Sequence, residues 1–337
     1  MRRLCLCLCL TSLCGPAQAA PVEVRIGNIA PEGSSYDTGC AGALRTEVSR
    51  DPVIGAKLRV KVFLGAVLGD EANMLRHTRE GKLLQVVALT MSALANLIPE
   101  LGVFDLPFLF HNDAEVDAVF RASAVRARLR ALVGSRDLEL VGIAEAGWRQ
   151  FASRDRPIRT PDDLKGRVVR SQPTVMQLEM WRALGAQPKP IGISDLPAAF
   201  EAGQVDAFDI QSAFMFAASL HSLVRHYTLS NHVYQAAPLV ANRRVIAPEN
   251  MKSLMEAWSR IERKCIETIR AENRLVDAEL PKAGIRVATL SPEARAAFEE
   301  KLAPLRQRFR QATTPAGRAL FDAVEKVLAR HRGRRVN

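Results

Sequence analysis

The chain has 337 residues and a formal net charge of +11 at pH 7, with 47 lysines and arginines against 36 aspartates and glutamates. A positive charge of this size is compatible with binding to nucleic acid, to an anionic membrane or to an anionic ligand. Aromatic residues make up only 6% of the chain and are not interleaved with the arginines, so nucleic acid is not an expected partner. No zinc-ligand spacing, P-loop, nucleophile elbow or dinucleotide fingerprint occurs, so the sequence predicts no metal, no cofactor and no enzyme.

The first nineteen residues have the pattern of a secretory signal peptide. A basic start at residues 1–3 precedes an apolar run at residues 4–14 and a small-x-small cleavage site at residues 17–19. The run is too short to cross a bilayer, so the mature chain is expected to begin at Ala20 in the periplasm. A lipid anchor on Cys14 is the less favoured alternative, because a leucine precedes it where lipoprotein processing requires a small residue.

Two cysteines, Cys40 and Cys265, would remain after cleavage, since the other four lie within the predicted signal peptide. In an oxidising compartment these two can form one disulfide. Two buried free thiols are at least as compatible with the sequence, so the pairing stays open at this point.

The first half of the mature chain alternates strand-like with helical segments. Strands are predicted at residues 22–26, 58–63 and 84–89, and helices at residues 36–49 and 70–78. The last helix opens on an acidic pair, where the helix dipole favours negative charge. This strand–helix alternation implies a parallel sheet covered by helices.

A second α/β unit follows the first. Its strands are predicted at residues 138–143, 148–153, 167–170 and 205–210, and its helices at residues 175–184 and 194–202. Two such units leave a cleft between them, and ligands in sheets of this kind bind at the carboxyl ends of the strands. Arg170 and Ile210 both stand at such ends.

The C-terminal region is predicted to be helical. A helix at residues 249–280 would be roughly 48 Å long at ~1.5 Å per residue, which is long enough to brace both units. A coiled-coil dimer is the competing interpretation, but the apolar stripe is not a sustained heptad repeat. Helices at residues 292–310 and 315–330 follow, and the basic residues 331–337 are expected to form a frayed, solvated tail.

Arg170 is the most informative candidate for a binding residue. Its planar guanidinium can donate two parallel hydrogen bonds to a carboxylate and stays charged at any working pH. A lone arginine is more often half of a surface ion pair, but a strand end between two α/β units favours a ligand carboxylate. Asp206 and Asp209 could instead serve acid–base chemistry in a secreted enzyme, although no nucleophile or metal partner accompanies them.

Several short segments between about residues 22 and 239 match, in their order and spacing, segments of a known protein family. They are Leu68-Gly69-Asp70-Glu71, the run from Pro99 to Phe110, Asp163-Leu164-Lys165-Gly166 leading into Arg170, Leu184-Gly185-Ala186-Gln187-Pro188, Gly203-Gln204-Val205-Asp206 and Thr228-Leu229-Ser230-Asn231-His232. Together they make the chain resemble the periplasmic solute receptors of tripartite ATP-independent periplasmic (TRAP) transporters, the DctP type. Each segment alone is weakly specific, and it is their order and spacing that carry the resemblance.

The resemblance implies an α/β fold, a two-domain periplasmic-binding-protein clamshell with a long helix bracing both domains. The expected N-terminal domain comprises residues 20–146 plus about 236–275, and the C-terminal domain residues 147–235 plus about 276–330. Such a receptor closes on an organic acid and delivers it to the small and large membrane subunits of a TRAP permease. A ligand-sensing domain for a signalling partner is the alternative use of the same architecture.

The same resemblance assigns the binding residues. In the family, the arginine at the position of Arg170 forms the main salt bridge to the ligand carboxylate, and the one matching Arg149 commonly adds a second contact. Asn28 matches a ligand-contacting asparagine of some members. Glu71 and Thr90 are expected on the opposite wall of the cleft.

Ile193 and Ile210 complete the expected binding residues, and Ile210 departs from the family pattern. The family usually has an asparagine at the position of Ile210, and that asparagine helps to bind the carboxylate. Loss of this polar partner with retention of the arginine favours a less polar ligand. A monocarboxylate with an apolar body is the resulting hypothesis.

Overall fold

The computed structural model describes residues 20–333. The predicted signal peptide, its Cys14 alternative and the last four residues of the basic tail lie outside this range. Within it, nine strands form one mixed sheet with the order β2-β1-β3-β8-β4-β7-β5-β6, and β9 pairs with β8. In chain order the strands are β1 (Val22–Gly27), β2 (Leu58–Phe63), β3 (Val86–Ala88), β4 (Leu138–Ser153), β5 (Val168–Ser171), β6 (Gln187–Pro190), β7 (Ala207–Ile210), β8 (His226–Asn242) and β9 (Arg286–Thr289).

Helices cover both faces of this sheet. Among residues 20–333 the α-helices are α1 (Gly42–Arg50), α2 (Pro52–Gly55), α3 (Glu71–Glu80), α4 (Met91–Ala95), α5 (Asp113–Arg121), α6 (Ser123–Gly134), α7 (Val175–Ala183), α8 (Leu196–Glu201), α9 (Ser212–Ala217), α10 (Pro248–Glu279), α11 (Pro292–Ala312) and α12 (Pro315–Gly333). A π-helical segment, Asp37–Ala41, leads into α1, and a 3₁₀ segment, Pro99–Asp105, follows α4. Helices α2, α4, α5, α6 and α9 and the strands β6, β8 and β9 were not predicted from the sequence.

The sheet consists of two halves joined by two long strands. Strands β1, β2 and β3 are parallel to one another, and so are β5, β6 and β7, as predicted for each unit. Strands β4 and β8, of 16 and 17 residues, pair antiparallel along both halves. The complete sheet is therefore mixed rather than parallel, and β4 and β8 connect the two lobes of a clamshell. The expected domain boundaries remain a prediction.

The prediction of two separate strands at residues 138–143 and 148–153 was wrong, because β4 is continuous. Its pairing with β8 shifts register between Glu145 and Gly147, which is the signature of a β-bulge. Gly147 has a φ of +106°, and a Cβ there would lie 2.9 Å from Nδ2 of Asn273. Glycine therefore permits the chain to bend here without interrupting the strand.

The sheet separates two hydrophobic cores. One face packs against α3 to α7, α11 and α12, with Phe104 and Trp181 fully buried between them. The other face packs against α1, α8, α9 and α10, around Phe200 and Leu254. Helices on both faces of a sheet are the α/β layer architecture that the strand–helix alternation predicted.

Helix α10 braces both lobes, as predicted. It packs along β4 and contacts α1 of the first lobe and α9 of the second. Cys265 of this helix forms a disulfide with Cys40 of the π-helical segment, which resolves the pairing that the sequence left open. The alternative of two free thiols was wrong.

The expectation of a solvated tail beginning at residue 331 was also wrong for the part of it that the structure describes. Helix α12 continues to Gly333. Nη2 of Arg332 donates to Oε2 of Glu115 and to the backbone oxygen of Leu109, at 2.9 Å in each case. None of the helices within residues 20–333 has the length and apolar content that a membrane span requires.

Candidate ligand-binding cleft

A cavity of about 110 Å³ lies between the two lobes, where β1, β3, β5, β6 and β7 end. Ligands in α/β sheets bind at the carboxyl ends of strands, so the cavity lies where the sequence predicted it. Its volume is several times the ~10–15 Å³ that a cavity needs in order to hold one water, which suits a small organic molecule. The seven predicted binding residues all line it: Asn28, Glu71, Thr90, Arg149, Arg170, Ile193 and Ile210.

Arg170 is a buried cation in the wall of the cavity. It lies near the end of β5 with 3% of its surface exposed, and its Nε donates to the backbone oxygen of Ile191 at 2.8 Å. No aspartate or glutamate within residues 20–333 forms an ion pair with it. Burial and the nearby charge of Arg149 lower the pKa of Arg170 to about 10. Arg170 lines the cavity, and within residues 20–333 only its Nε makes a side-chain hydrogen bond, so its other two nitrogens are available to an anion.

Arg149 lines the same cavity, but its donors are already engaged. Nε donates to Oδ2 of Asp209 at 2.5 Å, and Nη2 donates to Oδ1 and to the backbone oxygen of Asp209 at 2.7 and 2.6 Å. Nη1 donates to Oε1 of Gln235 at 2.9 Å. Burial acts to raise the pKa of Asp209, but the charge and hydrogen bonds of Arg149 hold it well below its usual range. A direct contact from Arg149 to a ligand stays a prediction, and it would have to displace one of these bonds.

Asp209 is also bonded to a buried histidine. Nε2 of His232 lies 3.2 Å from Oδ2 of Asp209, and Nδ1 of His232 lies 2.7 Å from Oγ of Ser230. Asp206 accepts from Nε of Arg167 at 3.0 Å. Neither aspartate lines the cavity, so both belong to ion pairs that hold the second lobe together.

Glu71 forms part of the opposite wall, contributed by the first lobe. It is the first residue of α3, whose N-cap is Asp70. Its Oε1 accepts from the backbone nitrogen of Thr90 at 2.5 Å, and its Oε2 accepts from Oγ1 of Thr90 at 3.0 Å and from Nε2 of Gln172 at 3.2 Å. Burial raises the pKa of Glu71, and these hydrogen bonds oppose that effect.

Three glutamines of the cavity wall, Gln172, Gln211 and Gln235, were missed by the sequence analysis. Gln172 bridges the lobes, because its Nε2 also donates to Oγ1 of Thr90 at 2.8 Å and its Oε1 accepts from Nε2 of Gln235 at 2.8 Å. Gln172 follows β5 by one residue, so the strand-end rule that selected Arg170 applied to it as well. No sequence pattern pointed to Gln235, because it lies within β8 and that strand was not predicted.

The remaining wall is mostly apolar. Ile210, 2% exposed at the end of β7, and Ile193 lie in it together with Phe214 and Ala146. Oδ1 of Asn28 accepts a hydrogen bond from the backbone nitrogen of Ala30 at 2.6 Å. No cluster of three or more histidine, cysteine, aspartate or glutamate side chains in the described range could hold a metal ion. Among the described residues, the cavity therefore combines one cation that forms no ion pair with a largely apolar surface.

Comparisons with known proteins agree with this architecture. A family model described as bacterial extracellular solute-binding protein, family 7 (DctP), matches residues 44–312. A curated relative, the 2,3-diketo-L-gulonate-binding periplasmic protein YiaO of Escherichia coli strain K12, is 24% identical over 277 residues, which cover 80% of this chain and 82% of the relative.

Solved structures share the fold. The sugar acid binding protein DctPAm of Advenella mimigardefordensis strain DPN7T, in complex with galactonate, has a TM-score of 0.85 and 24% identity, and the match covers 91% of this chain and 99% of that chain. A TRAP periplasmic solute-binding protein of Polaromonas sp JS666, bound to D-erythronate, has a TM-score of 0.82 and 22% identity, with 90% and 97% covered. The two-domain clamshell is thus the fold of this chain.

Proposed function

This chain belongs to the DctP family, the bacterial extracellular solute-binding proteins of family 7, and from that premise we propose that it captures a small organic acid in the cleft between its lobes. The acid's carboxylate binds Arg170, and the rest of the molecule lies against the apolar wall. The loaded receptor then delivers the acid to the small and large membrane subunits of a TRAP permease. The periplasm, reached through a cleaved signal peptide at residues 1–19, is the proposed location.

The observation that carries the proposal is that Arg170 is buried and forms no ion pair with any residue between 20 and 333. Burying an arginine without an anion is costly, and the other buried arginine of the cavity, Arg149, has a full set of acceptors. A carboxylate that enters the cavity would accept two parallel hydrogen bonds from the Arg170 fork. The known ligands of the similar proteins, galactonate, D-erythronate and diketo-gulonate, are acids of this kind.

Hydrogen bonds across the cleft support capture by closure. Gln172 of the second lobe donates to Glu71 and Thr90 of the first, and Nδ2 of Asn96 donates to the backbone oxygen of Pro173 at 3.1 Å. Such contacts favour a closed cleft, and β4 and β8 are the strands at which a hinge motion would occur. Closure around a bound acid would exclude water and strengthen its ion pair with Arg170.

A thermal-shift screen of mono-, di- and keto-carboxylates on residues 20–337 tests the proposal. A ligand that binds only the folded state raises the melting temperature by mass action, so at least one acid should shift it, whereas neutral sugars and amines should not. The shift should disappear in Arg170→Ala. A screen in which only sugars or amines stabilise the protein would contradict the proposal, as would an acid-induced shift that survives in Arg170→Ala.

A further inference from the structure

The charges that line the cavity are distributed unequally between its two walls. The only cationic side chains among the described lining residues, Arg149 and Arg170, both belong to the β4 and β5 side. The charged residues that α3 and its N-cap contribute to the opposite wall are both acidic, Asp70 and Glu71, whereas the remaining acid, Glu145, lies on β4. An anion bound at Arg170 therefore faces negative charge across the cavity.

The positive charge available to a ligand amounts to one unit. Asp209 balances Arg149 through a two-pronged ion pair, so Arg149 does not offer a full charge to a ligand. Arg170 keeps its charge for one carboxylate. A second carboxylate on the ligand would find no cation among the described lining residues.

Glu71 is the acid placed to oppose that second carboxylate. Glu145 is neutralised by Nη2 of Arg270 at 2.9 Å, and Asp70 caps its own helix by accepting from the backbone nitrogen of Asn73 at 2.9 Å. Glu71 has no ion-pair partner among residues 20–333. Its oxygens instead accept from Thr90 and from Gln172, the residue that bridges the lobes.

We propose that Glu71 is a specificity-determining residue that restricts the cleft to ligands with a single negative charge. Like charges brought together in a buried interface repel strongly, and the donors around Glu71 keep its carboxylate fixed in the wall. A dicarboxylate that binds Arg170 with one end would bring its other end toward Glu71 as the cleft closes. A monocarboxylate of the same length meets no such repulsion. This inference rests on the proposed function and narrows its ligand class.

Matched pairs of acids test the inference by calorimetry. Suitable pairs are butanoate and succinate, D-erythronate and meso-tartrate, and galactonate and galactarate, because the members of each pair differ only in a terminal group that is a carboxylate in the second. The proteins are the wild type, Glu71→Gln, which keeps the shape and removes the charge, and Asp70→Asn. Asparagine also caps helices well, so Asp70→Asn removes a neighbouring charge without disturbing α3.

In any pair that binds, the wild type should bind the monocarboxylate at least about tenfold more tightly, since opposed like charges cost at least that much. Glu71→Gln should abolish the preference, because the repulsion is removed, and Asp70→Asn should keep it. A wild type that binds the dicarboxylate as tightly as the monocarboxylate, or an unchanged preference in Glu71→Gln, would overturn the inference. A fall in affinity for both members in Glu71→Gln would do so too, since Glu71 would then be accepting a hydrogen bond from the ligand.

Failure of the proposed function gives a different result. If Arg170→Ala abolishes binding of the tighter member of a pair, the carboxylate receptor stands whatever Glu71 does. If no acid of the three pairs binds the wild type, both the receptor for small acids and the charge restriction are overturned.

Discussion

Replacing Arg170 with methionine should stabilise the ligand-free protein. Burial and Arg149 lower the pKa of Arg170 from 12.5 to about 10, which corresponds to roughly 3 kcal/mol against the charged side chain. Methionine keeps a flexible apolar stem of similar length, so the packing is largely retained. The variant loses the hydrogen bond from the charged guanidinium Nε to Ile191, which costs about 1.5–3 kcal/mol. The expected net gain is therefore at most about 1.5 kcal/mol.

Urea denaturation of the ligand-free protein measures this change, and Arg167→Met is the matched control. Arg167 is also buried, but its Nε is paired with Oδ1 of Asp206 at 3.0 Å. Arg167→Met loses this hydrogen bond to the half-exposed Asp206 and a second one from Nη1 to the backbone oxygen of Arg156 at 3.2 Å, and lost hydrogen bonds of a charged group are destabilising. The control should therefore unfold at lower urea while Arg170→Met unfolds at higher urea. If both variants lose stability to the same extent, Arg170 is an ordinary structural arginine and the reasoning fails.

Three further outcomes are expected of the ligand-free protein. Asp209→Ala leaves Arg149 buried without its anion and should cost about 3–5 kcal/mol in urea denaturation, whereas a loss below 1 kcal/mol would show that the pair is not needed. Serines in place of Cys40 and Cys265 should cost up to about 5 kcal/mol, because the disulfide closes a loop across a sequence separation of 225 residues; an unchanged denaturation midpoint would contradict a formed disulfide. Burial raises the pKa of Asp105 to about 7, so its contribution to stability is complete below the unfolded pKa near 4 and is lost as the pH rises through 7. Asp105→Asn should therefore gain stability over the wild type at pH 8 more than at pH 5, and an equal effect at both values would contradict that pKa.

Local patterns were sufficient to predict many of the fold's elements. The bounds of β2 agree with the prediction, and α10 agrees within one residue at each end, because alternation and helical periodicity are read within one segment. Strand β8 escaped prediction since it carries Pro238 and many polar side chains, and its register is fixed by pairing with β4, nearly ninety residues earlier in places. The sequence predicted two strands in place of β4 for a related reason. A glycine such as Gly147 is typical of a turn as well as of a β-bulge, and only the pairing with β8 distinguishes the two.

The binding cleft could be predicted in part for the same physical reason. Arg170 and Ile210 follow the rule that ligands bind at strand ends, and that rule needs only local structure. The sequence could not predict that Asp209 occupies the hydrogen-bond donors of Arg149, because the antiparallel pairing of β4 with β7 is what brings the two residues together. The docking of Arg332 on Glu115, 217 residues away in sequence, likewise depends on the packing of α12 against α5.

Calorimetric titration of Arg170→Ala with the acid that binds the wild type most tightly tests the central claim most directly. Truncating one partner of a buried charge pair costs about 2–5 kcal/mol, so the Kd should rise roughly 30-fold to several thousand-fold at ~1.4 kcal/mol per decade. Thermal denaturation of the same sample confirms that the variant is folded. A folded Arg170→Ala protein that binds the acid with the wild-type Kd would contradict the assignment of Arg170 as the carboxylate anchor.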